Sequence, residues 1–223
     1  MLRGRIGVDL VPLERVRELA SQDGSPLLRR MLTAEELNLA YDPTRPDIPG
    51  IAGRIAAKEA VFKLFRSSGE TLPWLDTRIL KAPGGRPTVH LAGRAARLAT
   101  ASGLGPIEVS ISHDGPYAMA VACSLGPDPE ATDRHHTPDD HASGGIMASN
   151  TIGDVHDWIL SKHPERTSIA PDENLVDSRL VDSLSFVELV YIIESASGVE
   201  VDFDAIDMKD FQTLSSIEKA FFH

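Results

Sequence analysis

The stretch GPDPEATDRHHTPDDHASGGIMAS, residues 126–149, constrains this chain most. Three prolines, a Gly-Gly pair and scattered His, Asp, Ser and Thr leave no apolar periodicity, so neither a helix nor a strand has a face to bury there. It reads as a flexible linker that divides the 223 residues into units over 1–125 and 150–223. Charge breaks at the same place. Residues 1–125 carry a net +3, residues 126–146 a net −4 and residues 147–223 a net −10. A mildly basic unit joined to an acidic one suggests complementary surfaces, and the overall −11 argues against a nucleic-acid partner. His135, His136 and His141 lack the fixed outer shell that orients metal-binding imidazoles, and read as solvated linker. Met147, followed by small polar residues, looks like a second start, as in a natural or engineered fusion.

Other classes are excluded quickly. The longest apolar run, around Tyr117–Cys123, is too short to span a bilayer. MLRGRIGVDL lacks the apolar core and cleavage pattern of a secretory signal. A single cysteine, Cys123, forms no internal disulfide. A cytoplasmic protein without a membrane partner is expected, and no internal repeat is visible.

In the first unit, RIGVDL (5–10) predicts a strand. Pro12 suits the first turn of a helix carrying Leu13, Val16 and Ala20, and Thr33 with Glu35 and Glu36 suits another helix start. DPTRPDIPG (42–50) reads as a loop, followed by a helix through GRIAAKEAVFKLF with Ile55, Phe62 and Phe65 on one side. Strands are expected at 74–81 and 87–91 around a turn at 83–85, a helix at 92–102, and strands at 107–112 and 117–125 around 113–116. Helices and strands without strict alternation predict an α+β domain with a mainly antiparallel sheet. The second unit predicts an all-α small helical bundle: Ile152, Val155, Trp158 and Ile159 on one helix, Phe186, Leu189, Val190 and Ile193 on the next, a short turn at 204–210, and Leu214, Ile217, Ala220 and Phe221 on the last.

Three short stretches bear chemistry. GVDL places Asp9 at a strand end, where an Asp is ordinarily a turn or cap residue. KEAVFK places Glu59 and Lys63 one helical turn apart, as an ordinary ion pair or as a carboxylate and an ammonium facing a phosphorylated ligand. SISHDG places Ser112 and His113 at a strand end. Taken in this order, Gly7–Asp9, Lys58–Lys63 and Ser110–His113 resemble the GxD, KEAxxK and SISH motifs of phosphopantetheinyl transferases of the holo-acyl-carrier-protein synthase type. MLTAEEL (31–37) and GGRPTVHL (84–91) match weaker segments of that family. One departure is KLFRSSGE, where the family tends to have a small residue and a glycine; Phe65 and Arg66 stand there and Gly69 comes later.

Residues 150–223 resemble an acyl carrier protein. Asp182-Ser183-Leu184 matches its DSL motif, VELVYIIESASGVEVDFD (187–204) its acidic second helix and following loop, and QTLSSIEKAF (212–221) its final helix.

The two resemblances together imply transfer of 4′-phosphopantetheine from coenzyme A to Ser183, releasing 3′,5′-ADP. They imply Mg²⁺ on Asp9 and Glu59, Lys63 against the leaving phosphate, and Ser112 and His113 on coenzyme phosphate. The base would be Glu59 or a metal-bound water. Arg15 and Arg17 would steer the carrier through Asp182, Glu188 and Glu194. The family further implies a homotrimer with shared sites. The 24-residue linker has a coil reach of about 25–30 Å, so the acceptor carrier would be its own or a neighbouring subunit's. Two other readings fit the same motifs: a carrier scaffold loaded by a separate transferase, and a transferase acting mainly on other carriers. The pathway, whether fatty-acid, polyketide or related, is not legible.

Overall fold

A computed structural model describes residues 2–21, 26–40, 45–65, 71–127, 152–202 and 206–222. Most of the expected linker, with His135, His136, His141 and Met147, lies outside those residues, as do Arg66 and Gly69. The chain divides into two compact units, Met1–Ser68 with Leu72–Arg134 and Gly69–Thr71 with His135–His223.

The first unit runs β1 (Leu2–Pro12), α1 (Leu13–Ser21), α2 (Pro26–Met31), α3 (Ala34–Ala40), α4 (Ile48–Phe65), β2 (Thr77–Lys81), β3 (Pro87–Leu91), α5 (Gly93–Ala101), β4 (Ile107–Asp114) and β5 (Tyr117–Pro127). The strands form an antiparallel sheet in the order β1-β5-β4 and a separate antiparallel pair, β2-β3. Successive strand residues face opposite sides. On the inner side Val11, Val109, Ala118, Ala120 and Ala122 are buried; on the outer side Ile6, Val8, Leu10, Met119 and Leu125 are exposed.

Helix α4 lies across the inner side and is enclosed almost all round, every residue from Ile51 to Lys58 being buried. A helix apolar on all faces belongs in an interior. Burying side chains such as Ile51, Ile55 and Leu64 contributes about 1.5–3 kcal/mol each. Small residues set how closely helix and sheet approach. A Cβ on Gly7 would fall 2.0 Å from the Ala60 carbonyl oxygen, so β1 meets α4 backbone to backbone only because residue 7 is glycine.

Two expectations need correction. The 42–50 stretch is not all loop, because α4 starts at Ile48. Asp47 caps it, its Oδ1 accepting the Gly50 N–H at 3.0 Å, and Pro49 sits in the first turn, where its missing N–H costs nothing. Residues 74–76 turn rather than extend, so β2 begins at Thr77. Helix α2 has no counterpart among the expected elements; its six residues are too few for a helical period to show.

In the second unit the described residues form α6 (Ile152–Lys162), α7 (Ser183–Ser197), a 3-10 turn (Met208–Phe211) and α8 (Leu214–Phe221). They share an apolar cluster that includes Val155, Ile159, Leu189, Ile193, Phe211 and Ile217. The long connection between α6 and α7 is pinned by Leu175 N–H to Gln212 O at 2.8 Å, Ser215 N–H to Pro171 O at 2.9 Å, and an Arg166–Glu173 ion pair. The expected turn at 204–210 lies partly outside the described residues; helical hydrogen bonding runs from Met208. No helix among the described residues is long and apolar enough to cross a membrane.

Candidate functional site

Gly7 and Asp9 lie two residues apart on β1 and so face the same side. The close approach at Gly7 brings Asp9 to the C-terminal end of α4. There Lys63 Nζ donates to Asp9 Oδ1 and to the Val8 carbonyl, each at 2.8 Å. The Lys63 ammonium is half exposed and the Asp9 side chain is mostly covered, with 13% of its surface open. Glu59, half-buried, lies one turn before Lys63 on the same helix. Lys63 therefore bonds across to β1 as well as standing in ion-pair register with Glu59. Asp9 and Lys63 thus meet where α4 approaches β1, with Glu59 one helical turn before Lys63.

This donor set suits a hard divalent cation. Mg²⁺ takes oxygen ligands, commonly one or two carboxylates completed by phosphate and water, and Asp9 and Glu59 supply carboxylates alone. Among the described residues no group of three or more His, Cys, Asp and Glu could hold a metal by itself, so a closed zinc-type site is not formed by them.

A cavity of about 340 Å³ opens at the other end of α4, lined by Asp47, Gly50, Arg54, Lys81, Gly85 and His113 among others. Arg54 is 4% exposed; its Nη1 donates to Gly50 O at 2.8 Å, while its Nε has no partner among the described residues. Burial pulls the Arg54 guanidinium below its usual range, with Glu36 and Asp47 opposing. His113 Nε2 sits 2.8 Å from Pro49 O. Gly53 to Glu59 is six residues, a separation of about 9 Å along the helix.

Ser112 does not join His113. Adjacent strand residues point to opposite faces, so Ser112 lies on the outer side with Met119, its partner in register, while His113 lies on the inner side. A single chain cannot bring both to one phosphate within this cavity.

Sequence reasoning missed the buried polar hub behind the site. Lys58, fully buried, donates from Nζ to Met31 O at 2.8 Å, Trp74 O at 2.6 Å and Glu36 Oε2 at 2.8 Å. Glu36, also fully buried, accepts the Ile79 N–H and the Thr33 N–H as well. Burial pulls the Lys58 ammonium down to about 8, with Glu36 opposing. The one legible signal was Thr33-x-x-Glu36, a capping-box spacing, which the structure uses both as a cap and as a hub.

In the second unit Asp182, not Ser183, caps α7. Asp182 Oδ1 accepts the Ser185 N–H at 2.8 Å, and the Asp182 N–H donates to Ser185 Oγ at 2.9 Å. Ser183 is the first residue of the helix, exposed, and its hydroxyl has no partner among the described residues. The pair Asp177-Ser178 repeats the Asp-Ser dipeptide five residues earlier, but Ser178 Oγ donates to Asn174 O at 2.6 Å within a turn.

The expected docking charges divide. Glu188 is 6% exposed and pairs with Lys162 Nζ at 2.8 Å, on the face of α7 that packs against α6. Glu194 is half-buried and accepts the Val201 N–H at 2.9 Å. Asp182 remains exposed beside Ser183. On α1, Arg15 is half-buried, and Arg17 is exposed and paired with Glu14.

Residues 5–122 match the family model described as the 4′-phosphopantetheinyl transferase superfamily. The holo-[acyl-carrier-protein] synthase of Desulforudis audaxviator is 40% identical over 122 residues, covering 55% of this chain and 92% of that protein. That of Gloeobacter violaceus is 36% identical over 124 residues, with 55% and 92% covered. A crystal structure of Helicobacter pylori holo-[acyl-carrier-protein] synthase in complex with coenzyme A aligns with a TM-score of 0.47 and 30% identity, covering 54% of this chain and 99% of that one.

Proposed function

The chain belongs to the 4′-phosphopantetheinyl transferase superfamily, and on that premise we propose that it moves 4′-phosphopantetheine from coenzyme A to the serine of an acyl carrier protein, with Ser183 of its own second unit as acceptor. Its first unit is an enzyme domain of the holo-acyl-carrier-protein synthase type. The observation that carries the reading is the Lys63–Asp9 contact at one end of α4, one helical turn from Glu59, with a cation-lined cavity toward the other end.

The cavity would take a phosphate at the adenosine end of coenzyme A, and the carboxylate–ammonium cluster would take the pyrophosphate. Ser183 Oγ attacks the phosphorus that bears pantetheine. The bond to the bridging pyrophosphate oxygen breaks, and 3′,5′-ADP leaves. The serine proton passes to the Glu59 carboxylate. Lys63 donates to the leaving phosphate as its charge grows. Mg²⁺ held by Asp9 and Glu59 would neutralise pyrophosphate charge. The N–H groups that open α7 favour phosphate oxygens arriving at Ser183.

A homotrimer is part of the proposal. Ile6, Leu10 and Leu125 are 73%, 54% and 67% exposed on the outer face of the sheet, beside half-exposed Val8, Tyr117 and Met119. Such a face is costly to leave in water. Ser112 lies on it, so that residue would reach a coenzyme only across a subunit boundary.

Protein freed of phosphopantetheine, given coenzyme A and Mg²⁺, gains the phosphopantetheine mass at Ser183 and not at Ser178. The Ser183→Ala variant gains none. Modification of that variant to the same extent would overturn the acceptor assignment. Loading only by an added transferase would favour the scaffold reading, and loading only of separate carriers would favour a transferase for other proteins. Mixing Ser183→Ala chains with Glu59→Ala chains under subunit exchange restores loading of the intact serine.

A further inference from the structure

Lys63 stands on the last turn of α4, where a helix backbone supports itself least. The final four carbonyls have no N–H partner within the helix. Helices commonly close them with a left-handed glycine just past the last turn. Here the residue after Phe65 is an arginine, and the next glycine is Gly69. Leu64 and Phe65 are 1% and 3% exposed, so water does not stand in for a cap. Two side chains distant in sequence do. Arg5 Nη1 donates to Leu64 O at 2.9 Å, and Ser102 Oγ, at the end of α5, donates to Phe65 O at 2.6 Å.

Arg5 lies on the same face of β1 as Gly7 and Asp9. These three alternate residues meet the C-terminal end of α4 at three points. Arg5 takes the Leu64 carbonyl, Gly7 admits the Ala60 carbonyl, and Asp9 takes Lys63 Nζ. A Cβ on Gly7 would fall 3.2 Å from Lys63 Cβ, so the stem of Lys63 rests against the strand. Arg5 itself is 8% exposed and offers almost no surface to a coenzyme. Any part it takes in the reaction is therefore exerted through the helix end.

We propose that Arg5 is a positioning residue for Lys63. By holding the Leu64 carbonyl, with Ser102 holding the next, it keeps the last turn of α4 wound and so fixes where Lys63 Nζ meets the leaving phosphate. A guanidinium suits the task for two reasons. It is a cation at a helix C-terminus, where the macrodipole favours positive charge. Its planar fork also loses little freedom when it bonds across from a neighbouring strand. The inference rests on the transfer reading above.

Loading of Ser183 in the full chain tests the proposal. Protein freed of phosphopantetheine receives excess coenzyme A and Mg²⁺, and the gain of mass is followed in time at several coenzyme concentrations. Circular dichroism fixes the folded fraction of each variant, and rates are compared per folded chain. Arg5→Met lowers the rate at saturating coenzyme roughly 10–100-fold, while the half-saturating concentration moves less than about 3-fold. Arg5→Lys keeps a cation with N–H donors and stays within about 5-fold of the intact rate. The deciding comparison is a Lys63→Ala background. There Arg5→Met changes the remaining rate less than about 2-fold, because a residue that acts through Lys63 has nothing left to position. A general loss of structure, or an effect exerted through Asp9, would slow both backgrounds alike. Should Arg5→Met not fold, Ser102→Ala takes its place and slows loading about 3-fold with Lys63 present and not without it. Equal slowing in the two backgrounds, or an Arg5→Met chain that loads at the intact rate, overturns the inference and leaves the transfer reading standing. An intact chain that loads nothing overturns both.

Discussion

Replacing Lys58 with methionine removes the cation on which Met31 O, Trp74 O and Glu36 converge. Methionine fills nearly the same volume, so the perturbation is electrostatic rather than a cavity. It leaves three acceptors without their donor, and one of them is a fully buried carboxylate. Removing one partner of a buried pair ordinarily costs about 3–5 kcal/mol. Against a typical domain stability of about 5–15 kcal/mol, that is about a fifth or more of the total. The protein has two tryptophans, and Trp74 is buried beside the hub while Trp158 belongs to the second unit. In a Trp158→Phe background, Trp74 fluorescence followed through urea unfolding therefore reports on the first unit alone. The expected loss is about 3–5 kcal/mol. Adding Glu36→Gln removes the stranded charge while keeping an oxygen for one of the two N–H groups, Thr33 or Ile79, that Glu36 accepts on separate oxygens, and recovers about 1 kcal/mol of it. A Lys58→Met cost under about 1 kcal/mol, or a further loss on adding Glu36→Gln, would refute the reasoning.

The same hub has a pH signature. Its folded lysine titrates near 8 against an ordinary 10.5, so between these values the unfolded chain holds more protons and the Lys58 contribution to stability rises with pH. The difference in unfolding free energy between the intact protein and the Glu36→Gln/Lys58→Met variant grows by up to about 1.4 kcal/mol per pH unit across that window, and a fall would contradict the assignment. Gly7→Ala drives a methyl into the Ala60 carbonyl; it costs about 1–3 kcal/mol and slows transfer by displacing Asp9, both measurable on one preparation. Asp182→Ala removes the cap of α7 and lowers the stability of the second unit by about 1 kcal/mol, read by Trp158 fluorescence in a Trp74→Phe background. Leu10→Glu places a charge on the exposed sheet face; light scattering then shows smaller particles than the intact protein forms, and unchanged size would argue against assembly through that face.

Local chemistry was legible where chain neighbours decide it. Strand alternation marked β1, β4 and β5, and helical periodicity marked α6 and α7, because each side chain's face follows from backbone geometry alone. Three motifs in the first unit sufficed to name the transferase family. What the sequence could not show is which polar residues meet. Lys58 and Glu59 are adjacent in KEAVFK, yet Lys58 turns inward to close a buried hub while Glu59 stays half-buried. Their difference depends on where α3 and the segment before β2 pack, 22 and 16 residues away in the chain. Glu188 reads as a surface charge until α6 covers it with Lys162. Local pattern fixes the direction in which a residue points relative to its own element; only the packing of elements decides whether water, a partner charge or a substrate waits there.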